Sequence, residues 1–102
     1  MTNISPKEAH EKIGEFIIID ARTPEEFRSG HIRGALNLNV SLQSFGSEIS
    51  KLDKSKKYLV YCNAGNRSFY ASTMMSNAGF GDVFNLQGGI FEWERNGLSV
   101  GK

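Results

Sequence analysis

The stretch Tyr58-Leu59-Val60-Tyr61-Cys62-Asn63-Ala64-Gly65-Asn66-Arg67-Ser68 constrains the fold of this chain more than any other. Its first four residues are apolar without alternation, the pattern of a strand covered on both faces. A short polar loop with one glycine follows. Residues 68–78 then read as a helix, with Tyr70, Ala71, Met74, Met75 and Ala78 on its apolar face. Strand, loop and helix in that order put the only cysteine, Cys62, at the carboxyl end of a buried strand. It also faces the positive end of a helix, where a thiolate is stabilised.

The rest of the chain repeats the alternation. Phe16-Ile17-Ile18-Ile19-Asp20 is a second unbroken apolar run and ends on a carboxylate. Two helices announce themselves by a cap, an initial proline and a glutamate: Ser5-Pro6-Lys7-Glu8, stopping at Gly14, and Thr23-Pro24-Glu25-Glu26, stopping at Gly30. His10 reads as a surface residue of the first helix, and Arg22 stands four residues before Glu26 as a candidate ion-pair partner. Residues 36–38 read as a short strand, and 41–52 as a helix carrying Leu42, Phe45, Ile49 and Leu52 and weakened at Gly46. Residues 53–57 read as a solvated turn. A short strand over 82–86, the turn Gln87-Gly88-Gly89 and a helix over 90–95 follow, with Phe91 and Trp93 as packing residues and 98–102 as a tail. Such alternation predicts an α/β fold, a central mostly parallel sheet with helices on both faces, in a single domain over residues 1–102.

A chain of 102 residues can bury a core without staples. Its formal charge of +1 offers no bulk attraction to nucleic acid or to a membrane surface. No amino-terminal basic and apolar leader is visible and the longest apolar run is far too short to span a bilayer, so the expected location is cytoplasmic and the expected state monomeric. One cysteine forms no internal disulfide, which suits a reducing compartment. No metal or cofactor is expected.

The chemistry converges on Cys62. Gly65 permits a positive φ that turns successive loop N–H groups inward as an anion-binding nest. Arg67 adds a fixed positive charge, either facing the loop centre or bracing it from behind. A thiolate in that field has a lowered pKa and reacts near neutral pH. The alternative is a cysteine that merely fills the end of a core strand. Neither His10 nor His31 is placed by spacing to act as a base, and a thiolate already ionised by its loop needs none.

Several separated motifs resemble the rhodanese-like domain family and cover nearly the whole chain: Ile18-Ile19-Asp20-Ala21-Arg22, Glu25-Glu26-Phe27 leading to Gly30-His31-Ile32-Arg33-Gly34-Ala35, Asn37, Tyr61 to Ser68, and Leu86-Gln87-Gly88-Gly89-Ile90-Phe91-Glu92-Trp93. The resemblance implies the rhodanese-like three-layer fold and a sulfurtransferase. In that reading Cys62 attacks the outer sulfur of a small donor such as thiosulfate to give a persulfide. A thiophilic acceptor such as cyanide or a protein thiol then takes the sulfur. Asn63, Ala64, Gly65, Asn66 and Arg67 correspond to the loop that cradles the substrate anion. Asn63 stands where many members carry a basic residue; it is either a hydrogen-bond donor to a sulfonate or a loop cap. Asp20, Arg22 and His31 read as framework. A phosphatase or arsenate reductase on the same fold carries a loop one residue longer. Here six residues run from Cys62 to Arg67, which suits a sulfur atom better than a phosphoryl group. A persulfide carrier or a binding module for a partner protein is the remaining alternative.

Overall fold

The computed structural model describes all 102 residues, Met1–Lys102. Its elements run β1 (Thr2–Ile4), α1 (Pro6–Glu11), β2 (Ile17–Asp20), α2 (Pro24–Ser29), β3 (Leu36–Asn37), α3 (Phe45–Ile49), β4 (Lys57–Tyr61), α4 (Asn66–Asn77), β5 (Asp82–Leu86) and α5 (Gly89–Arg95). Five strands form one sheet in the order β1-β5-β4-β2-β3, and every pairing is parallel. The two apolar runs are central neighbours, with Ile19 opposite Val60 and Asp20 opposite Tyr61. Their lack of alternation has the expected cause, since successive side chains enter two different cores. Ile19, Tyr58 and Val60 meet Phe45 and Ile49 of α3 and Ala71 and Met75 of α4. Ile18, Leu59 and Tyr61 meet Ala9 of α1 and Ile90 and Trp93 of α5 on the other face.

Both caps form, but only the second is reciprocal, because the Glu8 carboxylate pairs with Lys12 instead of reaching back to Ser5. Ser5 Oγ accepts from Glu8 N, and Thr23 forms a full capping box with Glu26. His10 is an exposed residue of α1. Other expectations are corrected. Residues 2–4, which carry no pattern long enough to read, form a strand because β5 offers them a ladder: Gln87 N donates to Ile4 O at 2.9 Å. The first helix ends at Glu11, and a separate 3₁₀ turn over Ile13–Glu15 passes through Gly14. The expected helix over 41–52 shrinks to Phe45–Ile49. Four serines and Gly46 have poor helix propensity, and the Asn39 side chain takes the Ser41 N–H into a turn instead. Phe45 and Ile49 are buried, whereas Leu42 is 55% exposed. The inner face of α4 is rotated from the expected one: Ser68, Ala71, Ser72 and Met75 are buried, while Tyr70 is 60% exposed. Serines fit there because each finds a local partner, as Ser72 Oγ donates to Ser68 O at 2.7 Å. Trp93 is core but Phe91 faces solvent. The expected tail also returns to the body, with His31 and Gly101 exchanging both backbone hydrogen bonds at 2.8 Å.

One buried ion pair ties the centre of the sheet to the loops above it. Asp20 is fully buried and accepts from Arg22 Nε, Arg22 Nη2 and the backbone N of Arg22. Tyr61 Oη donates to it at 2.7 Å and in turn accepts from Ile32 N at 3.0 Å. Burial pushes the Tyr61 phenol up, and the Asp20 carboxylate adds to this, so the phenol stays a donor. Removing the carboxylate strands a buried guanidinium. Asp20→Ala is therefore expected to cost roughly 3–5 kcal/mol, read as a lower urea midpoint with unchanged m-value.

Candidate active site

Cys62 directly follows β4, at the carboxyl edge of the sheet where parallel α/β folds collect functional groups. The residue is only 2% exposed. Its sulfur accepts from Gly65 N at 3.2 Å and from Ser68 N at 3.3 Å, and it lies 3.3 Å from Ser68 Oγ. Gly65 turns the chain at φ +107°, and α4 begins at the next residue. Two independent backbone dipoles thus meet at sulfur, one from the loop and one from the first turn of a helix. Burial pushes the Cys62 thiol up. Once sulfur is ionised, a hydrogen bond from the Ser68 hydroxyl turned onto it and those from the N–H groups of Ser68, Gly65 and Ala64 overcome burial, and the pKa lies below the ordinary thiol value.

The loop is held from below by α5. Ile90 N donates to Cys62 O at 2.9 Å and Phe91 N to Asn63 O at 3.1 Å. Gly89 makes this approach with φ +61°, and a Cβ there would run into the carbonyls of Cys62 and Asn63. The Gly-Gly turn is thus a shape requirement of the cysteine loop itself.

The side chains around the loop do less at sulfur than their charges suggest. Arg67 forks onto Glu26, with Nη1 2.8 Å from Oε1 and Nη2 3.0 Å from Oε2. It braces the loop while also interacting electrostatically with Cys62. Glu26 was readable as the capping-box residue only; it holds the cap and the arginine together. The candidate pairing of Arg22 with Glu26 does not form, because Arg22 turns to Asp20. Burial works against the Arg22 charge, and the Asp20 carboxylate more than offsets it. Arg22 also donates to Gly30 O at 2.7 Å and to Asn63 Oδ1 at 3.2 Å. Asn63 Nδ2 donates to Glu26 Oε2 at 2.8 Å. The Asn63 side chain is therefore a bridge between two framework residues, with its oxygen on Arg22 and one N–H on Glu26. Ala64 and Asn66 lie exposed on the rim. His31 stacks on Phe27 with ring centroids 3.7 Å apart and places Nδ1 2.8 Å from Phe27 O, away from the sulfur ring of donors.

Ser68 and Asn85 were missed as site residues. Ser68 read only as a helix start, and Asn85 only as part of a strand. The available signal was a lone amide inside an otherwise apolar strand, Val83-Phe84-Asn85-Leu86. No group of three or more His, Cys, Asp or Glu side chains is arranged to hold a metal ion, and no helix is long and apolar enough to cross a membrane.

The rhodanese-like domain family matches residues 5–96. The chain belongs to that family. A sulfurtransferase of Allochromatium vinosum is 36% identical over 86 residues, covering 84% of this chain and 78% of the relative. The thiosulfate sulfurtransferase GlpE of Ectopseudomonas mendocina is 36% identical over 92 residues, covering 88% and 82%. The crystal structure of a rhodanese-related protein from Thermoplasma volcanium matches with a TM-score of 0.90 at 31% identity, covering 99% of this chain and 98% of that one. Other rhodanese-like relatives are far longer. The chain spans 25% of a probable adenylyltransferase/sulfurtransferase MoeZ of Mycobacterium tuberculosis and 32% of a tRNA uridine(34) hydroxylase of Aster yellows witches'-broom phytoplasma.

Two outcomes follow from this geometry. Hydrogen bonds from Arg67 chiefly, with help from Thr23 and against the effect of burial, lower Glu26 from its ordinary 4.5 to about 2. A carboxylate with a depressed folded pKa stabilises the fold fully above its unfolded pKa and loses that contribution as pH falls through the folded one. Stability is expected to decline between pH 4.5 and about 2, and Glu26→Gln to flatten that part of the curve in acid denaturation. Gly89→Ala is expected to cost roughly 2–5 kcal/mol through positive-φ strain and overpacking. It also displaces the loop, so iodoacetamide labels Cys62 more slowly at neutral pH.

Proposed function

We propose that the chain transfers sulfane sulfur through a persulfide on Cys62, as one domain spanning residues 1–102. The observation that carries this reading is the ring of N–H groups closed around a single, nearly buried sulfur. The Cys62 thiolate attacks the outer sulfur of a donor such as thiosulfate. The sulfur–sulfur bond of the donor breaks, sulfite leaves with the bonding pair, and Cys62 carries the persulfide. An acceptor nucleophile, cyanide or a thiol, then attacks the outer sulfur and releases the Cys62 thiolate. Both steps keep negative charge on sulfur, which is the charge the loop dipoles and the α4 amino terminus stabilise.

The substrate-binding groups in this reading are the backbone N–H groups of Asn63 to Arg67. Because the Asn63 amide is engaged by Arg22 and Glu26, donor selection falls to the backbone and to the narrow approach to a cysteine that is 2% exposed. A terminal sulfur atom fits that approach better than a bulky ester. The acceptor in the cell is a small thiophile or a protein thiol. The longer relatives, in which a rhodanese-like domain is one part of a larger chain, support a protein acceptor as readily as a small one.

Mass spectrometry of the protein after thiosulfate treatment is expected to show one added sulfur atom on Cys62, removed by cyanide with formation of thiocyanate. Cys62→Ser abolishes both. Arg67→Ala lowers the rate of thiosulfate turnover about tenfold or more, by loosening a loop whose donors act only at hydrogen-bond distance. Hydrolysis of an aryl phosphate that is lost in Cys62→Ser, with no persulfide on thiosulfate, would replace this reading by a phosphatase.

A further inference from the structure

A buried hydrogen-bond chain reaches Cys62 from β5, the strand beside β4. Ser68 is fully buried and Asn85 is 4% exposed. Ser68 Oγ lies 3.3 Å from Cys62 Sγ and 2.6 Å from Asn85 Oδ1. Asn85 Nδ2 donates to Asn3 Oδ1 of β1 at 3.1 Å, which directs Oδ1 toward Ser68. A serine hydroxyl has one proton, and an amide oxygen only accepts. Asn85 Oδ1 at 2.6 Å outcompetes Gly65 O at 3.3 Å for the Ser68 proton, and the Ser68 oxygen shows sulfur its lone pairs. That arrangement welcomes a thiol, whose S–H donates to Oγ. A thiolate needs the opposite arrangement, with the Ser68 proton turned onto sulfur.

We propose that Asn85 is a positioning residue for Cys62, holding the Ser68 hydroxyl in the orientation that favours the thiol and releasing it only when sulfur ionises. When the sulfur proton leaves to water, the hydroxyl rotates from Asn85 Oδ1 to the thiolate. Asn85 Oδ1 is then a buried acceptor without its donor, a state that costs free energy. The backbone N–H groups of Gly65 and Ser68 favour the thiolate regardless, so the Ser68–Asn85 pair sets a counterweight. A sulfur that alternates between thiolate, persulfide and thiol meets a donor when charged and an acceptor when protonated.

The charged and titratable groups on the surrounding elements are constant across the test. On α4, Arg67 interacts with Cys62 and is paired with Glu26 of α2. On β2 the Asp20–Arg22 pair stands beside β4, with Tyr61 bonded to Asp20. From α5, the loop receives backbone donors, and Glu92 and Glu94 are the acidic residues of that helix.

The inference rests on Cys62 reacting as a thiolate, and its test needs neither donor nor acceptor. The rate of iodoacetamide alkylation is measured against pH. Asn85→Ala is expected to lower the midpoint by about one unit, a tenfold gain in thiolate fraction at a pH below both midpoints. In a Ser68→Ala background the same substitution is expected to leave the midpoint where Ser68→Ala alone puts it, the full coupling that a double-mutant cycle isolates. Should Asn85→Ala fail to fold, Asn3→Ala, at an exposed residue, frees the Asn85 amide to turn and lowers the midpoint in the same direction. An unchanged or raised midpoint means that Asn85 offers Ser68 its Nδ2 and overturns the proposal. So does a shift that persists without the Ser68 hydroxyl. Absence of a thiosulfate-derived persulfide in the unaltered protein, with the alkylation shift intact, would remove the sulfur-transfer reading alone.

Discussion

The buried Asp20 carboxylate is the point from which the upper edge of this molecule is assembled. It meets the Arg22 guanidinium, the Arg22 backbone and the Tyr61 hydroxyl. Each partner passes the constraint on. Tyr61 holds Ile32 at the entrance to β3, and Arg22 holds Gly30 at the end of α2 and Asn63 beside the thiol. Asn63 and Arg67 then converge on Glu26. A hydrophobic pair of equal volume often matches or exceeds the stability of such a buried ion pair. What it does not supply is direction. Here directed donors carry the position of β2 through one arginine to the loop that follows β4.

Within that frame the cysteine is served by backbone rather than by side-chain charge. No histidine reaches it, and the two arginines near the loop, Arg22 and Arg67, are each met by a carboxylate. The negative charge expected on sulfur is balanced by the N–H groups of Gly65 and Ser68, which are fixed by a left-handed glycine and by the start of α4. Such donors need no reorganisation as charge arrives. This arrangement requires the Gly88-Gly89 turn to press close beneath the loop, which ties the geometry of the site to the seating of α5.

Most of the fold was legible because two adjacent central strands are buried on both faces and leave unbroken apolar runs, and because proline and capping residues mark α1 and α2. What was illegible depended on partners distant in sequence. β1 is three residues whose only reason to be extended is β5. The carboxyl-terminal residues look like a tail until His31 pairs with Gly101. The stretch from 41 to 52 has helical spacing, but serine and glycine let side chains compete for its backbone, and one turn and a half survive. At the site, Cys62 and its loop could be read locally from strand, glycine and helix. Glu26 could not, because a capping glutamate that also grips an arginine 41 residues away looks the same in sequence as one that only caps. Asn63 was readable as a departure from a basic residue, yet its engagement by Arg22 and Glu26 is a property of the folded edge.

The pairing of Arg67 with Glu26 has a consequence for how an anion finds the loop. An unpaired arginine would project its field outward over a Debye length and draw anions in at a rate that falls with ionic strength. Here that field is largely cancelled within 3 Å of its source, and the chain as a whole carries a formal charge of only +1. Backbone dipoles decay faster with distance than a free charge. Anions are therefore neither steered nor repelled at range; recognition begins at contact. Under the proposed sulfur transfer, the encounter with an anionic donor is governed by shape and nearly indifferent to salt, and the loop discriminates among such donors only after they have arrived.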